Sequence, residues 1–143
     1  MRARELARQG GVAERIAFER ATAKGFSGSC YDLVAFFDCL HDMGDPIGVA
    51  AHVKSVLKSD GTWMVVEPFA GDRIADNLNP IGRIFYSAST QICVPASLSQ
   101  EVGLALGTQA GEARLRETIM SGGFSRVRCA AATPFNLVLE ARP

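Results

Sequence analysis

His41 and Glu67 are the residues of this sequence best placed to do chemistry. Each follows a short apolar run, Leu33–Phe37 for the first and Trp63–Val66 for the second. An unperturbed imidazole titrates at about pH 6.5, so His41 can exchange a proton near neutrality. The surrounding stretch, YDLVAFFDCLHDMGDP over residues 31–46, sets Asp38, Cys39 and Asp42 close by. Its apolar run begins after Asp32, stops at Asp38 and does not alternate, which predicts a strand buried on both faces. Open α/β sheets bind ligands and do chemistry at the carboxyl ends of such strands. Two roles remain open for His41: proton transfer, or a bond to backbone at the end of a strand. Glu67 either orients His41, touches a substrate or makes structural hydrogen bonds.

The elements that must position these residues follow from the rest of the chain. Residues 3–10 are expected to form a helix with Ala3, Leu6 and Ala7 on one face, ended by Gly10-Gly11. Arg15–Ala21, RIAFERA, alternates as a strand does, and residues 24–29 are loop. The central strand runs over 32–37. Asp45-Pro46 starts a helix, with Asp45 as N-cap and proline in the first helical position. Ile47, Ala50, Val53, Val56 and Leu57 give that helix one buried face through Lys58. His52 lies off that stripe and is expected in solvent. Ser59–Gly61 reads as a turn and Thr62–Pro68 as a second buried strand.

Residues 69–111 are punctuated by glycine, proline and asparagine, with short helices predicted over 84–89 and 99–106. A connection this long is usually functional, and it is expected to form the substrate side of the pocket at His41 and Glu67, with Ile84, Phe85 and Tyr86 as an apolar wall. Glu112–Ser121 is a helix carrying a Glu112–Arg116 pair and capped by Gly122-Gly123. Arg126–Thr133 and Asn136–Arg142 are two antiparallel strands about the turn at Pro134.

Composition narrows the classes. The 143 residues suit one domain, 48% hydrophobic and 21% charged. Fifteen basic and fifteen acidic residues balance, which leaves no net field for nucleic acid or anionic lipid. No run approaches the roughly 18 apolar residues of a membrane span, and Glu5, Arg8 and Gln9 interrupt the N-terminus where a signal peptide is apolar. A cytoplasmic protein without nucleic-acid or membrane partners is expected. The four cysteines, Cys30, Cys39, Cys93 and Cys129, form no C-x-x-C pair. They are expected to be free and buried, and no metal site is expected, because Cys39 and His41 would have to recruit distant cysteine ligands.

Three segments in order, YDLVAFFDCLHDMGDP, LKSDGTWMVVEP and SGGFSRVRCAAATPFNLVLEARP, resemble the C-terminal part of class I S-adenosylmethionine-dependent methyltransferases, especially small-molecule and O-methyltransferase-like enzymes whose fourth strand ends in L-H-D-x. The resemblance covers residues from about 15 to 143. It implies a Rossmann-like α/β fold, mostly parallel with an antiparallel C-terminal strand pair and lacking the first two strands. It implies transfer of a methyl group from S-adenosylmethionine to a small molecule. His41 matches the general base of the plant-type enzymes with an H-D-W loop, with Met43 in place of the tryptophan. Asp38 and Cys39 match positions lining the cofactor's methionine end, and Ala21 and Thr22 match its adenine-side loop.

The family's opening strand with its glycine-rich turn, and the acid that holds the ribose, have no counterpart in residues 1–11. Weak or absent binding of S-adenosylmethionine by this chain is therefore expected, with little methyl transfer. Without the neighbouring strands the YDLVAFF strand becomes an exposed edge. That gives the alternative reading of a non-catalytic module that self-associates through this edge.

Overall fold

A computed structural model describes residues 2–143. Its first element, helix α1 (Arg2–Gln9), packs locally: Ala7 is buried but Leu6 is exposed. Gly11 then takes a left-handed conformation at φ 66°. Residues 15–21, expected as a strand, form none. Ala13–Arg15 is a 3-10 turn, and the chain from there to Cys30 joins no ladder. Alternation alone cannot make a strand when no neighbour supplies the hydrogen bonds. Side chains hold this stretch instead, with Arg4 donating to Phe18 O and Glu19 accepting from Ser27.

Strand β1 (Tyr31–Phe37) leads to a 3-10 turn at Leu40–Asp42 and then to helix α2 (Pro46–Val56). The Asp45 side chain caps α2 by accepting from Gly48 N at 2.8 Å. Its buried face is Val49, Ala50, Val53 and Val56, whereas Ile47 turns outward. His52, expected in solvent, is half-buried. It bonds Phe26 O at 3.1 Å and meets the Phe26 ring edge-on at 4.6 Å, tying the loop before β1 to the helix.

Strand β2 (Leu57–Pro68) pairs parallel with β1. The expected turn at Ser59–Gly61 survives as an irregularity: pairing jumps from Tyr31↔Leu57 to Leu33↔Thr62. Helix α3 (Pro80–Ala88) follows, capped by Asn79, and runs through a π turn at Ser89–Cys93 into the short helix α4 (Val94–Leu98). The helix expected over 99–106 is a loop, because Val102, Gly103 and Ala105 have φ of 72°, 66° and 53°. Its amides go elsewhere, Leu104 N to Gly44 O and Ala105 N to Ser97 Oγ. Helix α5 (Gly111–Ser121) carries the Glu112–Arg116 pair at 3.4 Å. Strands β3 (Arg126–Ala132) and β4 (Asn136–Arg142) complete the sheet.

The sheet order is β1-β2-β4-β3. Only β1 and β2 are parallel, since β4 runs antiparallel to both β2 and β3. A mostly parallel sheet is thus reduced to one parallel pair, as the absence of a strand at 15–21 requires. α2 and α5 cover one face, where Val53, Leu115 and Ile119 meet Trp63, Val65, Leu137, Leu139 and Ala141. Trp63 packs edge-on to Phe36 and against Phe124. On the other face Leu33 and Phe37 are 55% and 64% exposed, so β1 is not buried on both sides. No helix among the described residues is long and apolar enough to cross a membrane.

Candidate active site

The two parallel strands end together, and their ends build the site. Side chains alternate along β2, so Trp63, Val65 and Glu67 all point to the helix-covered face. Glu67 therefore arrives buried, at 1% exposure. A buried carboxylate has to be hydrogen-bonded, and Glu67 is bonded through both oxygens. Oε1 accepts from Leu40 N at 2.8 Å and Cys39 N at 3.2 Å, while Oε2 lies 2.5 Å from His41 Nδ1. The 39–41 turn is thereby clamped onto the end of β2.

This contact assigns the imidazole. With Nδ1–H donating to Glu67, neutral His41 presents a lone pair at Nε2. His41 is itself 3% exposed. Burial alone would lower its pKa, but the Glu67 carboxylate, with Asp42 and Asp38 adding to it, outweighs burial and raises the value above the ordinary one. Asp42 Oδ1 stands 3.3 Å from Nε2 without hydrogen-bond alignment, and that buried oxygen has no hydrogen-bond partner. Beside both lies the thiol of Cys93. The ligating atoms of His41, Asp42 and Cys93 all fall within 4.8 Å of one another. Burial, then the neighbouring Asp42, pushes the Cys93 thiol up to about 11.

The segment from Cys93 to Gly107 wraps this turn. Ser97 Oγ donates to Met43 O at 2.9 Å, Gln100 Nε2 donates to Asp42 O at 2.8 Å, and Gly107 N donates to His41 O. Gly44 allows the close approach: a Cβ there would sit 2.5 Å from Glu101 O. Within residues 69–111, Cys93, Ser97, Gln100 and Gly107 thus contact the 41–44 turn. Tyr86 lines a different groove with Asn79 and Arg83. Cys93, Ser97 and Gln100 were invisible to sequence reading, because nothing local links them to residues 41–44.

Of the residues matched to a cofactor, Asp38 and Cys39 adjoin the buried dyad, Cys39 donating its N–H to Glu67, while Ala21 and Thr22 come from the loop before β1. Asp38, left-handed at φ 53°, ends β1 by donating its N–H to Val66 O at 2.7 Å. Ala21, Thr22 and Cys39 line an open groove of about 540 Å³ along the free side of β1, with Phe26, Phe36, Phe37 and Met43. Burial and the nearby Glu67 raise the Cys39 thiol above its ordinary value. The groove's one acid, Glu19, is engaged by Ser27. The groove is thus mostly apolar, lined by Ala21, Ala23, Phe26, Ala35, Phe36, Phe37 and Met43. Of the four cysteines expected to be buried, Cys93 alone is; Cys30 is exposed, and Cys39 and Cys129 are intermediate.

The fold is that of the C-terminal part of S-adenosylmethionine-dependent methyltransferases. It matches an O-methyltransferase family 2 protein from Planctomyces limnophilus solved in complex with apigenin, at 19% identity and a TM-score of 0.68, over 99% of this chain and 39% of that one. It also matches the mitomycin 7-O-methyltransferase MmcR, at 21% identity and 0.65, over 99% and 38%. PigF with SAH is similar at 14% identity and 0.71, over 98% and 39%. This chain spans about two-fifths of the length of each. No protein-family model matches the sequence, and neither does any curated protein.

Proposed function

We propose that this chain carries the acceptor side of an O-methyltransferase acting on a small molecule, with His41 as the base and Glu67 as the residue that positions it. The observation behind this reading is the buried Glu67–His41 dyad at the paired carboxyl ends of β1 and β2. Nδ1 is committed to Glu67, so Nε2 is the atom that takes a hydroxyl proton, and Glu67 stabilises the imidazolium that results. S-adenosylmethionine, the cofactor of the similar proteins, supplies the methyl group. Holding the acceptor oxygen at Nε2 contributes orientation as well as proton removal.

The chain alone is proposed to hold that cofactor weakly and to transfer methyl groups at no useful rate. The groove along β1 supplies one wall. Each missing hydrogen bond to a charged partner is worth roughly 1.5–3 kcal/mol. Two or three of them move a micromolar site to the millimolar range, at about 1.4 kcal/mol per tenfold. Calorimetric titration with S-adenosylmethionine checks this; a dissociation constant at or below micromolar would show that this half does the binding. Titration with a phenolic acceptor, followed by the His41 imidazole resonances, checks the acceptor reading. Resonances unmoved at saturation would remove it.

A second reading is favoured by the exposed side chains of Leu33 and Phe37 on an edge strand: self-association through β1. Sedimentation at high concentration decides it, with a sharp monomer boundary counting against.

A further inference from the structure

We propose that His41 Nε2, Asp42 Oδ1 and Cys93 Sγ form a binding site for a zinc-like divalent cation, with one coordination position left open. The three residues come from two separate elements, the turn after β1 and the π turn at Ser89–Cys93, yet each offers a ligand atom within 4.8 Å of the others. In a tetrahedral zinc site with bonds of about 2.0–2.3 Å, ligand atoms are separated by about 3.3–3.7 Å. The 3.3 Å between Nε2 and Oδ1 already meets this, and the Cys93 sulfur is within 4.8 Å of the ligand atoms. One nitrogen, one oxygen and one sulfur suit zinc and cobalt and disfavour magnesium or calcium.

Two independent observations point at a ligand there. The first is Asp42 Oδ1, a buried oxygen with no hydrogen-bond partner. It stands 3.3 Å from His41 Nε2, close enough for one cation to bond to both atoms. The second is Glu67 itself. A metal-ligating histidine characteristically gives its other N–H to a carboxylate, which fixes the ring and raises its basicity. Here that carboxylate is 1% exposed and anchored by two further amides. The π turn adds the third ligand, and such turns recur at functional sites because they displace one residue from the regular helical path. On binding, the S–H bond of Cys93 breaks, its proton passes to solvent, and the sulfur's electron pair forms the bond to the cation.

The site does not depend on the methyl-transfer reading, but the two share Nε2. A cation on that atom occupies the lone pair a hydroxyl proton would need, so a loaded site cannot act as a base. The test is therefore made on binding. Cobalt(II) is titrated into the full 143-residue chain with a non-thiol reductant, followed by absorption. The expected result is a thiolate-to-cobalt charge-transfer band at one equivalent, abolished by excess zinc. C93S is expected to lose the band and the Cys39→Ser control to keep it. Asp42→Asn, at a half-exposed residue, keeps the band but binds at least about tenfold more weakly. Absence of the band in the unaltered chain overturns the proposal, as does a band that persists in C93S. Should C93S fail to fold, unchanged cobalt affinity in Asp42→Asn overturns it equally. Those failures leave the His41–Glu67 base untouched, whereas unmoved imidazole resonances with a phenol leave the cation site untouched.

Discussion

The two sides of β1 are built of the same residue types and have opposite fates. Phe36 projects to the helix-covered face, where its ring meets Trp63 edge-on at 5.2 Å. Phe37, the next residue, projects to the other face and is mostly solvent-exposed. Strand formation is indifferent to this difference, because the ladder to β2 satisfies the backbone either way. Burial instead depends on which layers pack against the sheet, and α2 and α5 both lie on one face. The candidate site residues follow the same division. Glu67 shares the covered face and is fixed by three hydrogen-bonded contacts, whereas Ala21, Thr22 and Cys39 border the open groove.

The comparison breaks most visibly at Glu67. Replacing it with leucine leaves His41 Nδ1 and the Cys39 and Leu40 amides buried without a partner, and a loss of about 3–5 kcal/mol is expected from denaturant unfolding. Phe36→Ala against Phe37→Ala is the sharpest version. The first should cost about 2–3 kcal/mol through the void beside Trp63. The second should stay within about 0.5 kcal/mol while reducing any self-association seen by sedimentation. Equal costs for the two would mean that a layer covers the open face in solution.

Gly44→Ala tests how closely residues 97–101 press on the His41 turn. The added Cβ would stand 2.5 Å from Glu101 O and 2.6 Å from Gln100 Cβ, so a loss of about 1–3 kcal/mol is expected in thermal unfolding. A smaller effect than at Gly44 belongs to Asp45, which caps α2 and pairs with Lys24 at 2.9 Å. The Lys24 bond, followed by the Gly48 amide, lowers its pKa. A lowered carboxylate stabilises fully above its unfolded value of about 3.9. That contribution is lost as pH falls through the lower folded value. Removing the cap with Asp45→Ala should cost about 1 kcal/mol at neutral pH. The difference from the unaltered protein should vanish in acid, as pH-dependent unfolding would show.

What was legible in the sequence is what local pattern dictates. The apolar run to Phe37, the Asp45-Pro46 helix start and the β3–β4 hairpin all appear within a residue or two of expectation. His41 and Glu67 were legible because each closes a strand, and parallel neighbours bring such ends together. RIAFERA was misread because alternation describes a strand only when a partner is present. The 99–106 segment was misread as a helix because left-handed backbone at Val102 and Ala105 leaves no trace in residue type. The reach of Cys93 to His41 was illegible for a related reason: it depends on a π turn in a helix contributed from far along the chain.

The placement of β4 has a consequence for how the molecule is made. Although β4 follows β3 in sequence, it lies between β2 and β3 and pairs with both. During synthesis β3 emerges before the strand that joins it to the rest of the sheet. Until residue 142 is free, Trp63 and Val65 lack Leu139 and Ala141 opposite them, and the floor beneath Glu67 is open. A nascent chain in which β4 has not yet emerged should therefore be cut readily by proteases, while emergence of β4 should confer resistance in one step.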